Sequence, residues 1–205
     1  QFITRVSSLK LQFLTGTLFA NFGGDALLDR LGDSRAKGIV TKKSFLRKLQ
    51  RVRNQLSALE FIILVDDDQA DGTDGIYSYA RLVDDASVDF LTVPTDPNTP
   101  SVLHYTSGST GKPKGVVHCH RSILHQSVTS SDVLGLRSDD IYWCTADQGW
   151  VTGTSYGILG PWSLGVTQLH FGGSYSAERW FDLLEQERVS IWYTAPTALR
   201  MLLRE

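Results

Sequence analysis

The densest chemistry in the sequence sits in ten consecutive residues, Thr106-Ser107-Gly108-Ser109-Thr110-Gly111-Lys112-Pro113-Lys114-Gly115. Glycines let a backbone approach a ligand closely and adopt positive φ. Successive free N–H groups in such a loop form an anion-binding concavity. The Ser and Thr hydroxyls add donors, and Lys112 and Lys114 add positive charge. Together these types suit a polyphosphate. The nucleoside triphosphatase loop, Gly, four residues, then Gly-Lys-Ser/Thr, does not fit, because Lys112 is followed by Pro113 and the residue five places after Gly108 is also Pro113. A plain surface linker has a similar composition, but this run lies between two apolar stretches, Ser101–Tyr105 and Val116-Val117, that read as strands.

Elements must position such a loop, and the chain supplies them in alternation. Phe13–Phe22 reads as strand then loop, Asp25–Ala36 as helix, and Gly38–Thr41 as strand. Lys43–Leu56 places Phe45, Leu49, Val52 and Leu56 on one helical stripe, and Phe61–Val65 is an apolar strand. Pro94–Pro100 is a linker feeding the strand that enters the loop. Beyond it the pattern predicts a helix over Arg121–Leu134, strands at Ile141–Cys144, Val166–Phe171 and Ser190–Tyr193, and helices over Ser155–Leu164 (beginning near a glycine turn), over Ala177–Arg188 (capped by Ser176), and a last one capped by Thr194 with Pro196 in the first turn. Helix and strand in alternation predict an α/β fold, a largely parallel sheet covered by helices.

Other candidate chemistry is weaker. Asp66–Gly75 resembles a calcium loop in its acids and glycines, but from Asp67 the twelfth position is Ser78 where a bidentate Glu is required, so a solvated turn is expected. His118, Cys119, His120 and His125 lack a second cluster to complete a metal site. Cys119 and Cys144 show no redox spacing. The basic run Lys42, Lys43, Arg47, Lys48, Arg51 and Arg53 reads as a solvated helix face.

Tyr105–Gly115 resembles the phosphate-loop signature of the adenylate-forming superfamily, which includes acyl-CoA synthetases, peptide-synthetase adenylation domains and luciferases. Tyr142–Gly153 (Tyr-Trp-Cys-Thr-Ala-Asp-Gln-Gly-Trp-Val-Thr-Gly) and Trp192–Arg200 (Trp-Tyr-Thr-Ala-Pro-Thr-Ala-Leu-Arg) narrow the resemblance to the AMP-forming acetyl-CoA synthetases. It implies ATP-dependent activation of a carboxylate to an acyl-adenylate, then thioester formation with coenzyme A. On that resemblance Thr106, Ser107, Gly108, Ser109, Thr110, Gly111, Lys112 and Lys114 bind the ATP phosphates, with Thr106 and Lys114 closest to the chemistry. Trp150, Val151 and Thr152 form the acid-binding wall, with Thr152 also near coenzyme A. ATP, Mg²⁺ and coenzyme A are the implied substrates and cofactor, and small molecules the implied partners. Thr194-Ala195-Pro196-Thr197 resembles a structural motif of the family. Arginines near the basic run contact coenzyme A phosphates in the family, but the spacing here departs from that pattern. A ligase for another carboxylic acid and a non-catalytic phosphate-binding remnant are the alternatives.

Residues 1–205 are accordingly expected to be part of the large N-terminal AMP-binding domain, an interior piece without the mobile C-terminal domain, and inactive alone. The adenine- and ribose-binding motifs and the C-terminal adenylation lysine of the family are not found in the sequence, and self-association through uncovered apolar surface follows. Net charge is −2, which gives no field favouring nucleic acid or an anionic membrane. Leu11–Ala20 is too short and too interrupted to span a bilayer. A cytoplasmic location is expected.

Overall fold

A computed structural model describes residues 2–107 and 111–204; Gly108, Ser109 and Thr110 of the phosphate loop lie outside the described residues. The chain divides into two compact units, Gln1–Thr95 with Ser101–Val117, and Asp96–Pro100 with His118–Glu205.

The first unit is built on α1 (Phe2–Lys10), β1 (Thr15–Gly16), α2 (Gly24–Asp33), β2 (Gly38–Thr41), α3 (Lys43–Arg53), β3 (Phe61–Leu64), a 3₁₀ turn at Thr73–Gly75, β4 (Ile76–Ser78), α4 (Tyr79–Asp84), β5 (Pro100–Ser107) and β6 (Pro113–Cys119). Strands β2, β3 and β4 form one parallel sheet in that order, with Ile39 opposite Ile62 and Ile62 opposite Ile76. A second sheet has the order β1-β5-β6, with Thr15 parallel to and opposite Val102. Leu27 and Leu31 of α2, Leu49 and Val52 of α3, Leu56, Leu59, and Ile62 and Leu64 of β3 form the core. The i, i+4 and i, i+3 spacing of those helical residues puts each pair on the buried stripe.

Helix α2 ends at Asp33 rather than at Ala36, because Arg35 turns into the left-handed region (φ 50°) and the Ala36 N–H closes onto the Leu31 carbonyl at 3.1 Å. That is the helix-terminating bond pattern usually given to glycine. The sequence showed neither β4 nor α4. The acidic loop before them is also more than a solvated turn. Asp66 accepts the Lys43 N–H at 2.6 Å and caps α3, whose own N-cap residue, Lys42, makes no side-chain bond. Asp67 holds the Lys43 ammonium at 2.8 Å, and each group favours the charged form of the other: the hydrogen bond from Lys43 lowers the Asp67 pKa and that from Asp67 raises the Lys43 pKa.

The second unit contains α5 (Ser122–Asp132), β7 (Ile141–Cys144), α6 (Val151–Thr154) continued by a π-helical turn (Ser155–Leu159) into α7 (Gly160–Ser163), then β8 (Thr167–Leu169), α8 (Ala177–Gln186), β9 (Ile191–Tyr193) and α9 (Pro196–Leu202). The sheet order is β8-β7-β9, and both pairings are parallel. Helix α8 covers this sheet through Trp180, edge-on to Trp143 at 5.1 Å and to Trp192 at 6.1 Å. Ser176 caps α8 as expected, accepting the Arg179 N–H at 3.3 Å. Thr194 does not cap α9: Ala195 is the N-cap residue, and the Thr194 hydroxyl lies 2.6 Å from that of Thr145. The motif's threonine thus ties the end of β9 to the end of β7.

Arg5 of α1 is only 2% exposed. One guanidinium nitrogen donates to Thr17 Oγ1 at 3.0 Å, and Nε and Nη1 find no partner among the described residues. Burial pulls its pKa down to about 10. An unsatisfied buried donor costs about 1–3 kcal/mol, whereas an apolar group of similar shape removes the cost. Arg5→Met is therefore expected to raise Tm in this chain; a scanning calorimetry trace with a lower Tm would refute that account.

Candidate functional site

The candidate phosphate loop lies between β5 and β6. Thr106 and Ser107, at the end of β5, are exposed, and so are Lys112 and Lys114 on the return leg. The ion pairs among the described residues join Lys37 to Glu60 and Lys43 to Asp67, so both loop lysines stand outside them. Gly111 has φ 85°, with open space where a Cβ would stand. The turn into Lys112 therefore uses a backbone conformation that glycine adopts without steric cost.

The residue before Thr106 anchors the entering strand. Tyr105 donates its hydroxyl proton to Asp33 Oδ2 at 2.7 Å, with the Arg30 carbonyl oxygen 3.1 Å away. The Arg30 guanidinium lies 4.2 Å from the Phe22 ring centre and 5.9 Å from that of Tyr105. Burial, then the Asp33 carboxylate, pushes the Tyr105 pKa up to about 12, so its hydroxyl stays a neutral donor at ordinary pH.

In the second unit the candidate acid-binding residues stand at a helix start. Trp150 is the N-cap of α6, in extended conformation (φ −93°, ψ 150°), and the residue is 46% exposed. Val151 is exposed and Thr152 half-buried. The helix begins four residues earlier than the periodicity predicts, so Val151 and Thr152 lie on its first turn rather than in a preceding loop. The turn before it is closed by its own backbone. Gly149 N–H donates to Asp147 Oδ1 at 2.7 Å, Trp150 N–H to the Asp147 carbonyl at 2.9 Å, and the Thr154 hydroxyl to the Gln148 carbonyl at 3.0 Å. This winding brings Gly153 so close that a Cβ there would sit 2.1 Å from the Asp147 carbonyl oxygen.

Sequence reasoning missed His170. Its Nδ1 lies 3.2 Å from the Gln148 amide nitrogen, two residues before Trp150, and burial lowers its pKa. A neutral ring can accept the amide N–H there. Twenty-two residues separate the two, and no spacing rule links them. The π-helical turn was missed as well. It follows α6 directly, and Gly160 beyond it lets the helix lie against α5, where a Cβ would be 2.2 Å from Ser130 Oγ. The histidines near Cys119 do not converge: among the described residues no three His, Cys, Asp or Glu side chains could hold a metal ion.

The basic run divides. Lys43 is paired with Asp67, Lys48 donates to the Ala20 and Phe22 carbonyls at 2.6 and 3.1 Å, and Arg53 donates to the Asp74 carbonyl at 2.8 Å. Half of the run thus fastens α3 to neighbouring loops.

The Trp150 turn yields a direct test. Gly153→Ala must displace backbone rather than a flexible side chain, so it is expected to destabilise the protein by about 1–3 kcal/mol. Gly172→Ala is the control, since a Cβ there meets nothing within 4 Å. Urea unfolding of the two variants should separate them; equal midpoints would mean that the turn relaxes freely.

A family model described as AMP-binding enzyme matches residues 2–205. The acetyl-coenzyme A synthetase of Bacillus subtilis is 42% identical over 199 residues, covering 97% of this chain and 34% of that protein. The acetyl-coenzyme A synthetase of Pyrobaculum arsenaticum is 36% identical, covering 98% and 33%. Among solved structures, a Brucella canis acyl-CoA synthetase superposes with a TM-score of 0.89 at 29% identity, covering 98% of this chain and 36% of that one. An anthranilate CoA ligase crystallised with anthranoyl-AMP gives 0.83 at 25%, covering 92% and 36%. The chain therefore spans about a third of the length of the curated relatives it matches. An α/β fold with parallel strands covered by helices, an exposed Thr-Ser…Lys-Pro-Lys loop, and a match from residue 2 to residue 205 together establish that this chain belongs to the AMP-binding enzyme family.

Proposed function

We propose that this chain is the phosphate-loop segment of an AMP-forming acid–CoA ligase, with acetate or another short carboxylic acid as substrate. The observation that carries the reading is similarity to acetyl-coenzyme A synthetases over 97% of the chain. In the first half-reaction a carboxylate oxygen bonds to the α-phosphorus of ATP and the bond to pyrophosphate breaks. In the second, the coenzyme A sulfur, having lost its proton, bonds to the acyl carbon, and AMP leaves. The protein's share of the first step is to hold two anions in line and offset charge on the departing pyrophosphate. Residues Thr106 to Gly111 bind the β- and γ-phosphates through hydroxyl and backbone donors, and Lys112 and Lys114 supply the compensating charge. Trp150 bounds the acid pocket beside Val151 and Thr152, and its bulk favours short acids by about 1–3 kcal/mol for each methylene excluded. Thr152 also contacts coenzyme A in this reading.

Mg²⁺ enters this reading as the usual companion of ATP. The described residues build no carboxylate cage for it, and magnesium is generally bound through phosphates, water and one or two carboxylates. Among the described residues no helix is long and apolar enough to cross a membrane. The enzyme is proposed to work in the cytoplasm, as part of an N-terminal AMP-binding domain completed by further segments.

The test is acetate-dependent exchange between ATP and pyrophosphate by the intact ligase carrying these residues. Lys114→Ala is expected to lower it about a hundredfold, the size of effect seen when one charge-stabilising donor is lost. Wild-type exchange in that variant would remove Lys114 from the chemistry. Competition by longer acids at equal potency to acetate would remove Trp150 as the size filter.

The segment from Asp85 to Thr99 carries Val88 and Leu91 at 98% and 91% exposure, with Phe90 half-exposed. We propose that the 205-residue chain self-associates through such apolar surface. Static light scattering should show mass rising with concentration, and a constant monomer mass would overturn this.

A further inference from the structure

Tyr105 stands immediately before Thr106 on one leg of the phosphate loop, and Gly115 immediately after Lys114 on the other. The two residues meet. A Cβ on Gly115 would lie 3.4 and 3.5 Å from the Tyr105 ring and 3.2 Å from Leu103 Cδ1, so the ring stands beside the face of Gly115 that a side chain would occupy. Its hydroxyl leaves the loop and reaches the end of α2, donating to Asp33 at 2.7 Å beside the Arg30 carbonyl at 3.1 Å. Helix α2 is fixed in turn, with Leu27 and Leu31 in the core of the unit. The Arg30 guanidinium, near both the Phe22 and Tyr105 rings, donates back to the Ala26 carbonyl at 3.0 Å.

We propose that Tyr105 is a positioning residue: its ring braces both legs of the phosphate loop, and its hydroxyl fastens the brace to Asp33 on α2. The physical need is plain. A loop that receives a polyphosphate must present backbone donors to the ligand, so those donors cannot also stiffen the loop through internal hydrogen bonds. Rigidity has to come from the legs. One ring in contact with Gly115 couples the β6 leg to the β5 leg, and a hydrogen bond to a carboxylate is among the stronger anchors available. Gly115 leaves this face open to the ring, since a Cβ there would already touch the ring and would crowd Leu103 Cδ1 at 3.2 Å. The consequence for ATP is preorganisation: Thr106 and Lys114 are each one residue from the brace, so the spacing of the groups that meet the phosphates is set before binding.

The structural half of this inference is independent of the ligase reading; its kinetic half rests on that reading. Two measurements keep them apart. The first is amide hydrogen exchange on the 205-residue chain. In Tyr105→Phe and Asp33→Ala, peptides covering residues 103–107 and 112–117 should exchange severalfold faster than wild type, with no change over β2 and β3. The double variant should be no faster than Tyr105→Phe alone, because that variant already removes the bond to Asp33. Asp33→Asn, which keeps a carbonyl acceptor, should restore most of the protection. Wild-type exchange in both single variants, or additive effects in the double, overturns the brace. Should Tyr105→Phe fold poorly, Asp33→Ala alters an exposed carboxylate and carries the same test.

The second measurement is steady-state kinetics of the intact ligase. Tyr105→Phe is expected to raise the KM for ATP about three- to tenfold, the range for one lost hydrogen bond, and to leave the KM for coenzyme A unchanged. An unaltered KM for ATP overturns the positioning role even if exchange is faster. Equal rises in both KM values overturn it too, since that is what general loosening of the fold would produce. If the wild-type ligase shows no acid-dependent exchange of ATP with pyrophosphate, the ligase reading fails, and the exchange result alone then decides the brace.

Discussion

A loop that is to receive a polyphosphate must be stiff without using the donors it would offer to the ligand, and several features of the first unit suit that requirement. The β5 leg gains stiffness on its far side by parallel pairing with β1, where Val102 lies opposite Thr15 and Leu103 opposite Gly16. It gains more at its tip, where Tyr105 reaches α2. Helix α2 can serve as an anchor because its apolar stripe is buried against α3 and β3. Its sharp end at Arg35 fixes where Asp33 stands. Core packing, helix termination and a single phenol thus act in series on the geometry of the loop.

The second unit answers a different constraint, the close approach of backbones. The turn that presents Trp150 folds so tightly that residue 153 has no room for a Cβ, and the same helix crosses α5 where residue 160 has none either. Between the two the helix widens into a π turn. Such turns are frequent at functional sites. The small residues and the widened turn therefore belong to one arrangement: they press the helix against α5 while leaving its first turn, with Val151 and Thr152, at the surface. A buried bond from Gln126 to Ser155 at 3.2 Å and a partly buried one between the Thr129 and Tyr156 hydroxyls at 3.1 Å hold the crossing.

The parts of this architecture legible in the sequence were those carried by local pattern. Strands Gly38–Thr41 and Ile141–Cys144 fall where the apolar runs place them, and Ser176 caps its helix. The Lys43 stripe gave the buried face of α3 through Leu49 and Val52. What stayed hidden depended on partners distant in sequence. Strand β4 is three residues long and is defined by pairing with β3, not by its own periodicity. The start of α6 was obscured because Gly149 and Gly153 flank it in the sequence, although Gly153 is helical. Thr194 looked like a cap because its type and position suit one, yet Thr145, forty-nine residues away, claims its hydroxyl. Residue types for the phosphate loop were legible as a string, while the Tyr105–Asp33 anchor spans seventy-two residues and no motif contains it.

Charge was the least legible property, because a basic side chain looks the same in sequence whether it meets solvent, carbonyls or nothing at all. Six basic residues on and beside α3 read as a solvated face, but Lys43, Lys48 and Arg53 are engaged with loop oxygens or a carboxylate. Arg5 is buried with two nitrogens unpartnered among the described residues. Lys112 and Lys114, by contrast, are exposed and stand outside the ion pairs of the described residues. A cation tied to a protein carboxylate must break that pair before it can meet a phosphate, which reduces its net attraction. Lysines left to solvent on a braced loop lose only hydration. The separation of structural from available charge thus favours Lys112 and Lys114 as the groups that meet an incoming polyanion, and it distinguishes them from the basic run on α3 more sharply than net charge or composition does.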